Sequence, residues 1–263
     1  MVITSKDNEQ IKHIRKLKEK KYRDEYNEYV IEGVKLIKEA IAEDANIKTI
    51  IVCDNCVKNE EIDPKIMYEI AKYNCIYVDE KVFRSITDVQ NPQGLLAIMS
   101  KGPKNEDINF KEDIIIVLDN VQDPGNIGTI LRTVDSAGLK QIILSKNSGD
   151  VYNPKVVRST MGAILRVNVI ESQNLVETLK TIKKHKFEVI ATSLQTDDNI
   201  YDIDYKKKAI VIGNEANGVS KEVLDLADKK VKIPMLGKTE SLNAAVATGI
   251  ITYEYVRQKL IER

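Results

Sequence analysis

The most informative residue for chemistry is Arg132, because arginine is scarce in this chain. Of its 40 basic residues, 32 are lysines and eight are arginines. The segment Asp119-Asn-Val-Gln-Asp-Pro-Gly-Asn-Ile-Gly128 precedes a helix predicted over residues 129–137, with Arg132 opposite its apolar stripe. A guanidinium offers a planar fork that suits phosphate, and a helix N-terminus itself attracts anions. Arg132 is therefore either a solvated helix residue or a contact to phosphate or ribose, and spacing alone leaves both open.

Two further loops combine glycine with small polar residues. Gly213-Asn-Glu-Ala-Asn-Gly218 includes Glu215, which is either an anchor for an Asn or Arg side chain or an ordinary loop carboxylate. Ile233-Pro-Met-Leu-Gly-Lys-Thr-Glu-Ser-Leu-Asn243 ends at a predicted helix start, where Ser241 is a candidate cap. Ligands of open parallel sheets gather beyond the carboxyl ends of the strands, and all three loops follow predicted strands.

Strands in the second half of the chain are unusually apolar. We predict strands at 114–118, 141–144, 189–191 and 209–212, and their β-branched runs are typical of a parallel sheet buried on both faces. From Leu242 a long amphipathic helix is expected to cover either the sheet or another subunit, through Leu242, Ala245, Val246, Gly249, Ile250 and Tyr253.

The first hundred residues also alternate strands with helices, which predicts a smaller α/β domain. We expect strands at 29–31, 47–53, 75–78 and 95–99, and a basic helix over 8–21 with Ile11, Ile14 and Leu17 as its apolar seam. For 263 residues two domains are expected: 1–100 and 113–263, joined by a charged linker at 101–112. The fold class is therefore α/β.

Composition excludes several classes. No apolar run of membrane-spanning length exists, and the amino terminus lacks the pattern of a secretory signal, so we expect a cytoplasmic protein. The net charge is zero, yet residues 6–23 hold eight basic against three acidic side chains. The basic helix, with Lys12, Arg15 and Lys16, is either a solvated face or an RNA contact.

Cys53 and Cys56 form a C-x-x-C that we interpret as free thiols; zinc or redox chemistry is the alternative, and we predict no metal site.

Together the three loops resemble the SpoU (TrmH) family of RNA ribose 2′-O-methyltransferases. The resemblance rests on Asn120-x-x-Asp-Pro-x-Asn126-x-Gly-x-x-x-Arg132, on Gly213-x-Glu215-x-x-Gly218 and on Ile233-Pro-Met followed by Ser241-Leu-Asn243. Residues 152–163 and 28–100 are similar to further parts of such proteins, the latter to an amino-terminal RNA-binding domain. Ala244-Ala245 departs from the usual Val-Ser at the edge of the cofactor pocket.

This resemblance implies a fold, a cofactor and a partner. The second domain would form a deep trefoil knot, bind S-adenosylmethionine and assemble as a homodimer with its sites at the interface. RNA would be the substrate, and the domain layout favours large-subunit rRNA over tRNA. The implied residues are Gly213, Ile233, Leu242, Thr192 and Leu194 for the cofactor; Arg132, Asn126, Glu215, Ser241 and Asn243 for catalysis; and Lys12, Arg15, Lys16 and Arg158 for RNA.

Within the catalytic set, Arg132 would grip the target phosphate and the 2′-oxygen, where it acts either as an electrostatic clamp or as the proton acceptor. Glu215 would fix Asn126, which orients the ribose or Arg132. A non-catalytic RNA-binding or ribosome-assembly protein with the same fold is the alternative. A nicotinamide-dependent oxidoreductase is disfavoured, because Gly125-Asn-Ile-Gly128 lacks the spacing of a G-x-G-x-x-G motif.

Overall fold

The computed structural model describes residues 2–59, 62–101 and 107–261, and the chain divides into two compact units. Unit 1 comprises residues 1–104 and 152–165, and unit 2 comprises residues 105–151 and 166–263. Residues 102–106 of the expected linker lie outside the described residues. Residues 152–165, which lie inside the predicted second domain of 113–263, pack with unit 1 in the structure.

The elements of residues 2–101 follow the predicted alternation. They are β1 (Val2–Ile3), α1 (Glu9–Lys16), α2 (Lys20–Tyr26), β2 (Glu28–Glu32), α3 (Val34–Ala42), β3 (Ile47–Cys53), α4 (Asp54–Lys58), α5 (Pro64–Ile70), β4 (Cys75–Val78), α6 (Glu80–Ile86) and β5 (Leu95–Ser100).

The remaining elements are β6 (Ile114–Asp119), α7 (Pro124–Ser136), β7 (Gln141–Ser145), α8 (Pro154–Ser159), β8 (Asn168–Ser172), α9 (Leu175–Lys184), β9 (Glu188–Thr192), β10 (Lys208–Gly213), α10 (Lys221–Leu226), β11 (Lys229–Val231) and α11 (Ala244–Ile261). Short 3₁₀ turns occupy Ala163–Leu165 and Ile200–Asp202.

The sheet of unit 1 has the order β1-β4-β3-β5-β2, with β5 antiparallel to both of its neighbours. Ile11, Ile14 and Leu17 are buried against it, as the seam predicted. The single basic helix predicted over 8–21 is instead two helices, α1 and α2. Their break is stabilised by Arg23, whose buried guanidinium donates to the carbonyls of Leu17 and Lys18, at 2.8 and 2.7 Å.

Helix α8 completes unit 1. It packs against β2 through Val156 and Val157, which are both buried. At its start the Tyr152 ring lies 4.8 Å from that of Tyr29, and Lys101 Nζ lies 4.8 Å from the Tyr152 ring. These contacts explain why residues 152–165 leave unit 2 between β7 and β8.

Unit 2 is built on a six-stranded parallel sheet of order β11-β9-β10-β6-β7-β8. The predicted α/β class and parallel sheet are confirmed, and the four predicted strands are each one or two residues longer. The sequence missed β8 and β11, which are short and begin with polar residues, Asn168 and Lys229. In the part of the chain that is described, no helix combines the length and apolar character needed to span a bilayer.

Helix α7 begins five residues earlier than predicted. Asp123 caps it by accepting from the backbone N–H of Asn126 at 2.8 Å, and Pro124 occupies its first position, where a missing N–H costs nothing. The predicted stripe of Ile127, Ile130, Leu131 and Val134 is fully buried. Because the cap is Asp123, the side chain of Asn126 lies inside the first turn and remains available for other contacts.

Helix α11 packs against α7, but the face predicted to be covered is largely at the surface. Val246 and Tyr253 are each 50% exposed, whereas Thr248, Ile251, Thr252 and Tyr255 on the other side are buried. Of the two predicted roles for the apolar face, covering its own sheet is therefore wrong for Val246 and Tyr253.

Candidate functional site

Three loops meet at the carboxyl edge of the unit 2 sheet. Gly213 is paired in register with Asp119, so β10 and β6 end side by side and their following loops are neighbours. The third loop, residues 232–243, leads from β11 into α11. Because the strands are parallel, every loop after a strand leaves at this same edge.

The amide of Asn126 joins all three loops. Its Nδ2 donates to Glu215 Oε1 at 2.7 Å, and its Oδ1 accepts from Asn243 Nδ2 at 2.8 Å. We call this connection the Asn243–Asn126–Glu215 chain. It fixes the amide orientation of Asn126, since the carboxylate accepts and Asn243 donates. Glu215 is therefore an anchor for Asn126, and the alternative of an ordinary loop carboxylate is wrong.

Asn243 also begins helix α11. Its Oδ1 accepts from the backbone N–H of Ala245 at 2.9 Å and of Val246 at 3.3 Å, which is the geometry of a helix cap. The expected cap at Ser241 is wrong, because Asn243 already satisfies these donors. Ser241 is exposed, and its side chain makes no hydrogen bond to the described residues.

Gly213 is required by the tight fold of its loop. A Cβ placed there would lie 2.1 Å from the backbone carbon of Gly218 and 2.1 Å from the nitrogen of Val219. Asn214 and Gly218 exchange backbone hydrogen bonds at 3.0 and 2.9 Å across this turn. No side chain fits at that approach, so glycine here is a packing requirement.

Sequence reasoning missed two residues that hold the loops. The buried carboxylate of Asp119 accepts from the backbone N–H of Ser220 at 2.7 Å, and Asn214 Nδ2 donates to the carbonyl of Asn120 at 2.9 Å. A signal was present, since Asp119 is the one charged residue of β6. Nothing in the spacing indicated its partner, which lies 101 positions further along the chain.

The remaining cofactor candidates lie at the end of β9 or on loops at this edge. The side chains of Leu194 and Leu242 are 60% and 36% exposed, and Thr192 donates its hydroxyl to the carbonyl of Val211 at 3.0 Å. Within the described residues, the backbone N–H groups of Leu194, Ile233 and Leu242 have no partner. Exposed apolar side chains beside available backbone donors fit an adenosyl group, whose base needs apolar contact and hydrogen bonds.

Arg132 lies apart from the Asn243–Asn126–Glu215 chain. It is exposed on α7 and forms no hydrogen bond or ion pair with any described residue. It follows Asn126 by six positions, which is about 9 Å along the helix and about 120° around it. Within one chain the two side chains therefore point in different directions, and the structure does not bring Arg132 to Asn126.

The basic residues singled out in unit 1 have different surroundings. Lys12 pairs with Glu9 at 2.8 Å, Arg15 donates to Ser85 Oγ at 2.8 Å, and Lys16 Nζ lies 5.5 Å from the Tyr22 ring centroid. Arg158 lines a small cavity of unit 1 beside Glu32. Lys12 and Lys16 are exposed, whereas Arg15 is partly buried by its own unit.

The three cysteines carry free thiols. Cys53 is buried in β3. Cys56 packs closely on Gly94, since a Cβ added to Gly94 would lie 2.7 Å from the Cβ of Cys56. Among residues 2–59, 62–101 and 107–261, no group of three or more His, Cys, Asp or Glu side chains is arranged to hold a metal ion.

Two known families match separate parts of the chain. The SpoU rRNA Methylase family matches residues 113–253, and the MRM3-like substrate binding domain matches residues 8–97. The chain is 31% identical over 252 residues to the 23S rRNA (guanosine(2553)-2′-O)-methyltransferase RlmP of Bacillus subtilis, covering 95% of this chain and 97% of that protein.

The chain is also similar to solved structures of RNA methyltransferases. An AdoMet-bound rRNA methyltransferase from Sinorhizobium meliloti is 32% identical with a TM-score of 0.86, and the match covers 98% of each chain. The TrmH/SpoU tRNA modifying enzyme of A. aeolicus is 35% identical with a TM-score of 0.51, but the match covers only 57% of this chain and 77% of that one.

The matched motifs lie at the carboxyl edge of a parallel sheet. This fold and these matches together define an RNA methyltransferase with an α/β fold. The chain belongs to the SpoU rRNA methylase family. The predicted resemblance is thereby confirmed, as is S-adenosylmethionine as the cofactor.

Proposed function

We propose that this enzyme methylates a ribose 2′-hydroxyl of structured RNA, and that the RNA is large-subunit rRNA. The observation that carries the proposal is the Asn243–Asn126–Glu215 chain, which holds three motif loops together beside backbone donors suited to the cofactor. The share of this chain that each relative matches supports rRNA as the substrate. The relatives named for rRNA match nearly the whole of this chain, whereas the tRNA enzyme matches little beyond half.

S-Adenosylmethionine supplies an electrophilic methyl group, so the protein must orient the acceptor and favour loss of its proton. Gly213, Ile233 and Leu242 would hold the cofactor, with Thr192 and Leu194 at its edge. Ser241 and Asn243 would complete the polar wall, and Asn126 would orient the ribose because its own amide is fixed at both ends.

Arg132 would contact the target phosphate and the 2′-oxygen and stabilise negative charge as it develops. An alkyl hydroxyl is a poor nucleophile, so charge stabilisation at the oxygen is what the reaction needs most. The guanidinium is well placed for this because no described residue already neutralises it. We assign the guanidinium the role of electrostatic clamp, with proton acceptance by the same group as the alternative.

The complete site would need two chains. Arg132 and Asn126 point in different directions from α7, and α11 leaves Val246 and Tyr253 exposed. We propose a homodimer in which this face of α11 is covered and Arg132 of one chain reaches the cofactor loops of the other. Such an apolar strip on a helix is typical of an oligomer contact.

We also propose that the carboxyl-terminal segment forms a deep trefoil knot. In support, β11 lies at one edge of the sheet, yet the following helix α11 packs against α7, which follows the more central β6. The chain must therefore cross the carboxyl edge of the sheet between these two elements, among the loops that hold the motifs.

Lys12, Lys16 and Arg158 are proposed RNA contacts of unit 1, where phosphate contacts give affinity without sequence choice. Arg15 is retained in this set, although its bond to Ser85 gives it a structural role as well. The cytoplasm is the proposed location, and the three free thiols are compatible with a reducing compartment.

The decisive experiment measures transfer of labelled methyl groups from S-adenosylmethionine to rRNA. We expect Arg132→Ala to reduce the rate at least about a hundredfold, as loss of one charge-stabilising donor does elsewhere. Binding of the cofactor, measured by calorimetry, should change little. Near-normal transfer by Arg132→Ala would remove Arg132 from its role. Mapping ribose methylation in a deletion strain against its parent then identifies the nucleotide, and unchanged 2′-O-methylation of rRNA would contradict the proposed substrate.

A further inference from the structure

Unit 1 contains a cavity that the methyl-transfer chemistry does not use. Its volume is about 360 Å³ and it opens between α1 and the strands β2 to β5. Ile14, Ile76 and Ile98 supply its apolar surface. The volume falls in the lower part of the range of about 300–1,000 Å³ that is usual for small-ligand sites. It therefore suits one heterocyclic ring system better than an extended strand of polymer.

One wall of this cavity carries a buried carboxylate. Glu28 is only 8% exposed, its Oε2 lies 2.6 Å from His13 Nε2, and its Oε1 accepts from Lys48 Nζ at 2.7 Å. A carboxylate has about four lone-pair positions, so two remain after these bonds. The wall thus offers adjacent acceptors that His13 and Lys48 hold in a fixed orientation.

A row of rings leads away from the cavity. The His13 ring lies 4.7 Å from that of Tyr26, and Tyr26 stacks on Tyr22 with centroids 6.1 Å apart and planes 14° apart. Lys16 and Lys21 lie over the Tyr22 ring, at 5.5 and 5.4 Å from its centroid. Aromatic rings interleaved with cations are the combination that binds unpaired nucleotides, through base stacking and phosphate contact.

We infer that this cavity binds one unpaired base of the substrate RNA, and that the base is guanine. Guanine presents two adjacent donors on its Watson–Crick edge, which match the two free acceptor positions of Glu28, while its flat faces suit the isoleucine surface. The neighbouring nucleotide stacks on Tyr22, the outermost ring of the row, with its phosphate near Lys16. The inference rests on the proposed RNA substrate, and it assigns unit 1 a base-specific role besides phosphate contact.

The test uses the full-length protein and labelled single-stranded hexamers, one of uridines only and one with a single central guanosine. Fluorescence anisotropy should show the guanosine hexamer binding at least about fivefold more tightly, the ratio expected of one bidentate base contact. Glu28→Gln replaces one acceptor by a donor and should bring the ratio close to one. Tyr22→Ala should weaken both hexamers by about fivefold or more and leave the ratio intact.

Tyr68→Ala is the matched control, because Tyr68 is an exposed tyrosine of unit 1 with Lys72 5.9 Å from its ring, away from the cavity. It should change neither affinity. Gln10→Phe provides a second route if Glu28→Gln unfolds, since Gln10 is exposed and the larger ring would fill the cavity. Equal binding of both hexamers by the natural protein, or a preference that survives Glu28→Gln and Gln10→Phe, would overturn the inference.

The same variants separate this inference from the proposed function. Loss of methyl transfer in Arg132→Ala, together with a guanosine preference that survives Glu28→Gln and Gln10→Phe, would reject the base site and keep the enzyme's function. The reverse pattern would keep the base site and reject the role of Arg132. For the methylation reaction itself, Glu28→Gln should raise KM for RNA severalfold and leave kcat within about twofold.

Discussion

At Asn126 a single side-chain amide determines how three loops are arranged. It donates to Glu215, which lies 89 positions away in the chain, and accepts from Asn243, which lies 117 positions away. An amide is the only common group of this shape that can do both, because a carboxylate lacks the donor. Position 126 therefore requires asparagine because of the directions of its two hydrogen bonds, more than because of its size.

Asn126→Asp tests that direction with almost no change in volume. The new carboxylate would face Glu215 at the present distance of 2.7 Å, so one bond is replaced by repulsion. We expect a loss of about 1–3 kcal/mol in the free energy of unfolding and at least about a tenfold fall in methyl transfer. Urea unfolding and labelled-methyl incorporation measure the two effects. Asn147→Asp, at an exposed loop position, is the control, and equal behaviour of both variants would contradict the assigned role.

A second residue-scale prediction concerns pH. Glu254 accepts from Arg257 at 2.7 and 2.8 Å and from Gln258 at 3.0 Å. The Arg257 hydrogen bond holds the pKa of Glu254 below its ordinary value of 4.5. A carboxyl with a lowered folded-state pKa stabilises the protein above its unfolded-state pKa, and this stabilisation is lost as pH falls through the folded-state value.

Glu254→Gln should therefore cost about 1 kcal/mol at neutral pH, a modest amount because Arg257 is largely solvated. The difference between the natural protein and the variant should shrink towards zero as the pH drops below 4.5. Urea unfolding at a series of pH values measures it. A difference that stays constant into acid would show that the ion pair contributes nothing.

At the scale of elements, each site loop is fixed where a strand or helix ends. The pairing of Gly213 with Asp119 aligns the ends of β10 and β6, Asp123 sets the start of α7, and Asn243 sets the start of α11. The caps and the site share residues, because Asn243 both begins α11 and orients Asn126. Changing where a helix begins would therefore move the site.

Gly213→Ala probes the turn after β10. Its Cβ would lie 2.1 Å from two backbone atoms, so the loop carrying Glu215 must shift. We expect at least about 2 kcal/mol of destabilisation and loss of measurable S-adenosylmethionine binding by calorimetry. Gly237→Ala is the matched control for stability, because a Cβ there has nothing within 4 Å. Equal stability of both variants would show that the turn relaxes freely.

At the scale of the whole molecule, we propose that two chains form one site. The exposed face of α11 and the separation of Arg132 from Asn126 both favour a dimer. Val246→Glu places a charge on that face, which is 50% exposed in the single chain, so the monomer should fold normally. We expect sedimentation to show monomers and methyl transfer to fall by at least about tenfold, since a carboxylate is costly to bury.

Tyr68→Glu, at a position 76% exposed on unit 1, is the control and should remain dimeric and active. A natural protein that sediments as a monomer, yet transfers methyl groups at a normal rate, would contradict the shared site. Retained activity in a monomeric Val246→Glu would do the same.

The sequence by itself determined the elements and the chemistry they carry. Strands β6, β7, β9 and β10 were predictable because burial on both faces requires unbroken apolar runs, and the seam of α1 because a helix buries every third or fourth residue. The motif residues identified the family, since their types and spacing are local properties of the chain.

Only the tertiary structure decided which residues meet. The bond of Asn126 to Glu215, the anchoring of Ser220 by Asp119 and the placement of residues 152–165 in unit 1 all join segments far apart in sequence. The same holds for the face that α11 leaves exposed. Local patterns record whether a residue is buried, but which partner buries it depends on how the strands are ordered and where the chain crosses between them.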